Sequence, residues 1–462
     1  MQSTPRINLA ICGGGPGGLA LAVVLNKYCN DVHIDLYEAA SQFTEIGAGI
    51  SVWKRTWFIM QTLGLDVPLG KMAVQFPVDE PRPGFVYRKS DQEESGYSFN
   101  SMIIPYGSIT LHRADMLKVF TDNLPPSLAF QAHFSKRLVS YEQGLDVVTL
   151  YFSDETSAQA DVLVGADGVK SATRATMYRN LADIAQDSSV GLVNHLKKFI
   201  HASWSGTYAY RALVDTETLL RACPGHQAAT TSMMYSGKDK HVVSYPISRG
   251  SLVNIVAFVT IPGSDGKELD GPAVIDVAKE EMIDQYKGWE PEVQILLNCV
   301  VKPSRWAIFH IRGLTTYVDG RVALLGDSAH AMTTHLGAGA GQAIEDACVL
   351  GRILAQPLVT KTNLSSAMKI YDSIRRPLGN AMVERSRASG FLYEFNELPR
   401  YIDRGKVRAG SKEELEKLGK EIYKKWEVHW SALPDKEWKA AEVMLRDALN
   451  PSSHDKSIKA SL

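Results

Sequence analysis

The sequence predicts an α/β protein with a Rossmann-like nucleotide-binding domain, an inserted mostly antiparallel β-sheet domain and a C-terminal helical region. First, the apolar run Ile7–Cys12 has strand length and leads through consecutive glycines into a helix. Second, residues 190–305 change to strands that alternate with period two. Third, residues 321–350 return to a strand, a glycine-rich loop and a helix. The predicted domain limits are residues 1–190 and 305–375, 191–304, and 376–462.

The N-terminal segment carries a dinucleotide-binding fingerprint. Gly13, Gly15 and Gly18 satisfy GxGxxG between a strand and a helix, and the next strand ends at Glu38, 20 residues after Gly18. The glycines allow a tight turn and close backbone approach to a pyrophosphate, and the acid suits ribose hydroxyls. A purely structural turn is the alternative, but strand, helix and acid in register favour nucleotide binding.

The stretch 321–350 organises the rest of the chain. Its strand breaks at Gly326-Asp327, and a loop of small residues leads into a helix with apolar positions at helical spacing. Backbone N–H groups and the helix dipole favour a negatively charged or electron-rich ligand there. A tight strand-to-helix turn is the alternative interpretation. The predicted ligand contacts in this stretch are Asp327, Gly337, Gly339, Ala340 and Gly341.

Three further segments are candidates for the same ligand. The loop Gly47-Ala48-Gly49 follows the second strand, where it would lie along a bound nucleotide. Arg113 opens a helix and has the charge to reach phosphate or ribose, although a surface charge is the alternative. Asp167, in Gly165-Ala166-Asp167-Gly168, forms another strand-end glycine–acid site.

Composition limits the possible functions. The 462-residue chain has 45% hydrophobic and 22% charged residues and a net charge of −1, which gives no electrostatic case for nucleic acid. Its five cysteines are scattered without metal-ligand spacing, so we expect reduced thiols and no metal site. No signal peptide or transmembrane run is predicted. We therefore expect a cytoplasmic enzyme that is a monomer or a homodimer.

With GxGxxG…Glu38, GADG and GDSAH…GAGAGQ in this order, residues 6–380 resemble the class A (single-component) flavoprotein aromatic hydroxylases. The resemblance is greatest to the salicylate-hydroxylase-like branch found in fungi. It implies that FAD binds with its pyrophosphate at Gly13, Gly15 and Gly18 and its adenosine ribose at Glu38. It also implies that Gly49, Arg113, Asp167 and Asp327 contact the cofactor and that the loop 337–341 underlies the isoalloxazine, with NAD(P)H as co-substrate.

Four sites in the sequence depart from the family pattern. Thr334 replaces a usual proline near the flavin, and Lys54-Arg55-Thr56 replaces Pro-Asn-Ala. Some relatives have a catalytic histidine where this chain has Gly206, and one has an active-site histidine where this chain has Ser51. The catalytic base must therefore come from elsewhere in the chain.

The resemblance implies an FAD- and NAD(P)H-dependent monooxygenase that uses O2 and a flavin C4a-hydroperoxide to hydroxylate a phenolic aromatic acid. Expected substrates are hydroxybenzoates or salicylates, including prenylated ones, with oxidative decarboxylation. His335 is the first candidate to take the phenolic proton, and Tyr210 is the second. The alternative without a catalytic role is a surface or helix-capping histidine for His335 and an ordinary sheet tyrosine for Tyr210. Ser51, Tyr210 and Tyr245 are the predicted substrate contacts.

Three other functions remain open at this point. The same chemistry on a non-aromatic isoprenoid, by epoxidation or hydroxylation, would need no phenolate. A flavin dehydrogenase would not use O2. A non-enzymatic flavin- or NAD-binding module would show no substrate-stimulated turnover.

Overall fold

The computed structural model describes residues 4–43, 49–125, 129–187, 189–398, 400–403 and 406–449. In chain order the strands are β1 Ile7–Cys12, β2 Val32–Tyr37, β3 Gly49–Val52, β4 Pro81–Lys89, β5 Tyr97–Pro105, β6 Ile109–His112, β7 Phe130–His133, β8 Leu138–Gln143, β9 Val148–Phe152, β10 Ser157–Ala160, β11 Val162–Gly165, β12 Ser203–Asp215, β13 Ser232–Gly237, β14 Lys240–Ile247, β15 Leu252–Thr260, β16 Val274–Asp276, β17 Ser304–His310, β18 Val318–Asp319, β19 Val322–Leu324, β20 Arg400–Asp403 and β21 Lys406–Ala409.

The α-helices are α1 Pro16–Tyr28, α2 Lys54–Leu63, α3 Asp66–Met72, α4 Arg113–Thr121, α5 Ala172–Ile184, α6 Val190–Lys197, α7 Thr216–Ala222, α8 Lys279–Gln285, α9 Pro291–Asn298, α10 Asp327–His330, α11 Gly339–Leu354, α12 Leu364–Tyr393, α13 Lys412–Trp426 and α14 Asp435–Leu449.

The nucleotide-binding part is built on a six-stranded sheet in the order β18-β19-β11-β1-β2-β7. The central pairings β19·β11, β11·β1, β1·β2 and β2·β7 are parallel, which fits strands that read as continuous apolar runs. Because β1, β11 and β19 are parallel neighbours, their carboxyl ends lie at one edge. The three glycine-containing loops that begin at Gly13, Gly165 and Gly326 therefore leave the sheet at this edge.

An eight-stranded sheet, ordered β16-β17-β12-β15-β14-β13-β4-β5, forms the second layer. Its pairings are antiparallel except for β13·β4. Strands β4 and β5 form an antiparallel pair between residues 66 and 106, outside the predicted insertion. These strands extend the large sheet, and Phe85 and Tyr87 are buried in its core. The large sheet thus takes strands from inside the range 1–190 as well as from the predicted insertion.

The C-terminal part folds back onto this sheet. Helix α13 begins with a capping box at Ser411 and Glu414, and its buried face, which includes Leu418 and Trp426, packs in one apolar cluster with Phe85 and Phe99. The region is mainly helical, but β20 and β21 add a short antiparallel pair. Within the part of the chain that the structure describes, no helix is long and apolar enough to cross a membrane.

Candidate active site

The glycine loop after β1 fits a nucleotide pyrophosphate. Gly13 has φ +112°, and a Cβ there would lie 2.2 Å from the Ala166 carbonyl oxygen, so only glycine fits this contact. Helix α1 then starts at Pro16, which leaves the N-terminal N–H groups directed towards the loop. Glu38 at the end of β2 accepts hydrogen bonds from the N–H groups of Gly14 and Ala40, both at 2.7 Å. Its carboxylate thus lies beside the loop.

Asp167 follows β11 at the same edge of the sheet. One oxygen, Oδ2, accepts from the backbone N–H (2.9 Å) and the hydroxyl (3.0 Å) of Thr173. The other, Oδ1, is buried and has no protein partner. A buried carboxylate oxygen needs a donor, and a hydroxyl of a bound nucleotide would supply one.

The loop after β19 forms part of the lining of a cavity of about 240 Å³. Asp327 starts α10 and is exposed within a run of buried residues, so its carboxylate is available to a ligand. The predicted contacts that line this cavity are Gly49, Arg113, Asp327, Gly337, Gly339 and Ala340. Gly341 lies beneath the loop instead: its missing Cβ would be 2.6 Å from Thr56 Oγ1. Gly47 and Ala48 lie outside the described residues.

A buried network of charged side chains supports this loop on the side away from the cavity. Asp346 of α11 accepts hydrogen bonds from the Gly326 N–H at 3.0 Å and from Arg375 Nε at 2.7 Å, and His330 Nε2 lies 2.5 Å from its Oδ2. Burial alone would raise the pKa of Asp346, but His330 and Arg375 outweigh it and lower this pKa. The loop shape is therefore fixed by charged groups that never reach the cavity.

The large sheet forms the opposite wall of the cavity. The side chains that face it come from alternate positions of neighbouring strands: Ala209 and Arg211, Val243 and Tyr245, and Val256 and Phe258. Tyr210 lies between two of these positions, and its hydroxyl donates to Glu281 at 3.0 Å within the cluster on the other face. The role predicted for Tyr210 as a catalytic and substrate-binding residue conflicts with this geometry, because successive side chains of a strand point to opposite faces.

Ser51 and Tyr245 meet beside the glycine loop. A Cβ on Gly49 would lie 2.7 Å from the Tyr245 hydroxyl, so the phenol fills the space next to this glycine. Burial raises the pKa of Tyr245 to about 12, and Arg211, Arg113 and a hydrogen bond from Ser51 oppose this rise. Tyr245 is therefore a neutral hydrogen-bonding group at neutral pH.

His335 stands in the short 3₁₀ turn Thr334–Leu336 and is only 6% exposed. Its ring packs directly against Gly390 of α12, where a Cβ would lie 2.5 Å from ring atoms Cδ2 and Nε2. Burial, with a smaller effect from His241, lowers the pKa of His335 to about 3, so its imidazole is neutral. Its Nδ1 is buried and has no protein partner. His335 lines the main cavity and also a second cavity behind it.

The chain matches a known protein family. The family model described as "FAD binding domain" matches residues 6–240 and 275–386. The chain belongs to this FAD-binding family. It is an FAD-dependent monooxygenase of the salicylate-hydroxylase-like group, as expected from the sequence.

Individual relatives are similar over most of their length. A salicylate hydroxylase of Pseudomonas putida is 33% identical over 401 residues, which cover 85% of this chain and 87% of the relative. An FAD-dependent monooxygenase of Strobilurus tenacellus is 32% identical over 96% of this chain and 99% of its own. A solved salicylate hydroxylase substrate complex is 30% identical, with a TM-score of 0.77 over 95% of this chain and 98% of that one.

The positions that depart from the family pattern have local explanations. In the monooxygenase, Gly206 has φ +77° at an irregularity of β12, and a Cβ there would lie 2.9 Å from the Asp265 N atom, so this site has no room for a histidine. Thr334 lines the main cavity. Arg55 forms a buried double hydrogen bond to Glu345 of α11, at 3.1 and 2.9 Å. It thus supports the helix that begins in the loop 337–341.

Sequence reasoning missed several residues of the monooxygenase cavity. Arg211 could have been considered from the sequence, because successive side chains of a strand point to opposite faces. If Tyr210 lies on one face of β12, its neighbour Arg211 must lie on the other. Trp53, Phe85 and Trp426 form an aromatic end of the cavity. Trp426 lies in a highly charged helix far along the chain, and nothing in its local sequence indicates that it reaches the site.

Proposed function

We propose that this monooxygenase hydroxylates a phenolic aromatic acid of the hydroxybenzoate or salicylate type, and that it releases the carboxylate as CO2 when the attacked carbon carries it. The observation that supports this proposal best is the position of Arg211. Its guanidinium lies in the sheet wall of the cavity, across from the loop that carries Gly337 and Gly339.

Arg211 is a cation within an otherwise largely apolar wall. Its guanidinium lies over the Trp306 ring, 5.0 Å from the centroid, and this cation–π contact helps to fix the side chain. Val243, Val256 and Phe258 surround it with apolar surface. A planar ring fits against these side chains, and a carboxylate on the ring gains a charge-assisted interaction with the guanidinium. A neutral isoprenoid would make no use of this charge.

The far end of the cavity favours a substituted ring. Trp53 and Trp426 meet edge to face with centroids 4.9 Å apart, and Phe85 packs on Trp426 at 5.7 Å. This aromatic surface would accept a methyl or prenyl group carried by the acid. One similar protein is a 6-methylsalicylate 1-monooxygenase of Aspergillus terreus, 30% identical over 87% of this chain.

FAD, when bound and reduced by NAD(P)H, supplies the activated oxygen atom. The residues of the chain would prepare the substrate. Tyr245, a neutral phenol, would donate a hydrogen bond to the ring substituents, and Arg211 would fix the carboxylate. His335, which lines the cavity with a neutral imidazole and a buried nitrogen that has no protein partner, would accept the phenolic proton, and this makes the ring electron-rich and reactive.

A substrate panel tests this proposal. Salicylate, 6-methylsalicylate, a prenylated hydroxybenzoate and a neutral isoprenoid would each be assayed for NAD(P)H oxidation, hydroxylated product and CO2. We expect product from phenolic acids only. His335→Ala should keep FAD and substrate-stimulated NAD(P)H oxidation but form about 10²–10⁴-fold less product, with H2O2 instead. Equal turnover of the isoprenoid, or full product formation by His335→Ala, would contradict the proposal.

A further inference from the structure

A second cavity, of about 480 Å³, lies behind His335 and is separated from the main cavity by this residue. Its rim includes Ile261, which is 42% exposed, so the cavity reaches the surface. Polar side chains line its interior, among them Thr207, Thr260 and Glu394. A cavity of this volume that reaches the surface and carries these polar side chains has room for several water molecules. His335 therefore stands between the substrate and water.

Glu394 is the buried acid of this second cavity. It follows the last residue of α12 and is only 2% exposed. Its Oε1 accepts a hydrogen bond from the Thr260 hydroxyl at 2.9 Å and lies 3.1 Å from His241 Nδ1. The His241 ring in turn lies 5.1 Å from the His335 ring, centroid to centroid. Two histidines and a carboxylate are thus packed together where the two cavities meet.

We propose that His335 and Glu394 form a proton path from the substrate cavity to the second cavity, with Glu394 as the proton acceptor and His241 as a residue that positions it. This inference rests on the proposed function, because it requires a phenolic substrate. The proton would leave the substrate hydroxyl for the His335 imidazole, pass through water in the second cavity to the Glu394 carboxylate, and be released to solvent at the rim.

The unpartnered nitrogens support this path. His335 Nδ1 and His241 Nε2 are both buried without a protein partner, which is costly unless water or a ligand binds there. The relative basicities also agree. Burial lowers the pKa of His335 to about 3 and raises the pKa of Glu394 to about 7, so the carboxylate is the stronger base. His335 therefore passes the proton on, and Glu394 accepts it before its release to solvent.

The surroundings of Glu394 determine the pH at which the path operates. Burial is the largest influence on its pKa; His335, Thr260 and Lys238 lower this pKa, and Asp239 raises it. The Tyr286 hydroxyl, on the other side of His241, donates to the Phe258 carbonyl oxygen at 2.7 Å and stays neutral. Across the cavity, Arg387 is paired with Asp265 at 2.8 Å. The remaining acid of the lining is Glu397, which is exposed.

The experiment follows the ionisation of a bound phenol instead of turnover. A nitro-substituted salicylate, whose phenolate absorbs visible light, would be mixed with the FAD-loaded protein in a stopped-flow instrument from pH 5 to pH 9. In the wild type, ionisation should follow a group with a pKa of about 7. Glu394→Gln should slow ionisation at least tenfold and remove this pH dependence. Glu397→Gln, a change in the same cavity, should behave as the wild type.

Two further variants test whether Glu394 has only a structural role. Glu394→Asp should restore part of the rate. Thr260→Val removes a hydrogen bond that lowers the Glu394 pKa, so it should move the pH midpoint upwards. If Glu394→Gln loses FAD, these two variants decide the question. Wild-type rates and midpoints in the Glu394 and Thr260 variants would overturn the path while leaving the proposed function intact. A wild-type protein that binds no phenolic acid would overturn both.

Discussion

Glu394→Gln should stabilise the protein against unfolding relative to the wild type, and this gain in the free energy of unfolding should be larger at pH 8 than at pH 5. The folded structure raises the pKa of this carboxyl from its ordinary 4.5 to about 7, chiefly by burial. Between these two values the folded state holds a proton that the unfolded state has lost. The contribution of Glu394 to stability is therefore fully present below pH 4.5 and is lost as the pH rises through 7.

The magnitude follows from the two pKa values. The difference corresponds to about 3 kcal/mol at pH 8 and to about 1 kcal/mol at pH 5. Glutamine keeps an oxygen that can accept the Thr260 hydrogen bond but never ionises, so the variant avoids this loss. The contributions of the other ionisable groups largely cancel when the variant is compared with the wild type at each pH.

Urea unfolding of both proteins at pH 5 and pH 8, monitored by tryptophan fluorescence, measures this difference. The gain of the variant over the wild type should be about 2–3 kcal/mol larger at pH 8. Glu397→Gln is the matched control, because Glu397 lies on the same cavity but is exposed. A gain that is equal at both pH values would refute the argument that burial keeps Glu394 protonated.

Three further outcomes are expected. Asp327→Ala should weaken FAD binding about tenfold or more, because loss of one acceptor to a bound polar group costs about 1–3 kcal/mol; titration of the apoprotein with FAD checks this. Arg211→Met should raise the KM for an aromatic acid about tenfold or more without loss of FAD, and Arg211→Lys should restore part of the binding; unchanged KM in the methionine variant would remove Arg211 from the site. Gly390→Ala should uncouple NAD(P)H oxidation from product formation, since its Cβ would lie 2.5 Å from the His335 ring, whereas Gly191→Ala, with no atom within 4 Å, should have no effect.

The fold class and the cofactor could be predicted from the sequence because their signals are local. Gly13, Gly15 and Gly18 stand next to the strand and helix that they connect, and the apolar runs of β1 and β2 specify buried parallel strands without information from distant residues. The loop from Gly326 to α11 is equally local. Each of these elements follows from spacing along the chain.

Only the tertiary structure decided which side chains line the cavity. Tyr210 and Arg211 are neighbours in sequence, and the pairing of β12 with β15 and β17 determines that the arginine, not the tyrosine, lines the cavity. Trp426 reaches the main cavity, and Glu394 the second cavity, from C-terminal segments whose own sequences give no sign of it. Their positions depend on long-range packing. The burial that shifts the pKa of Glu394 exists only once distant segments have come together.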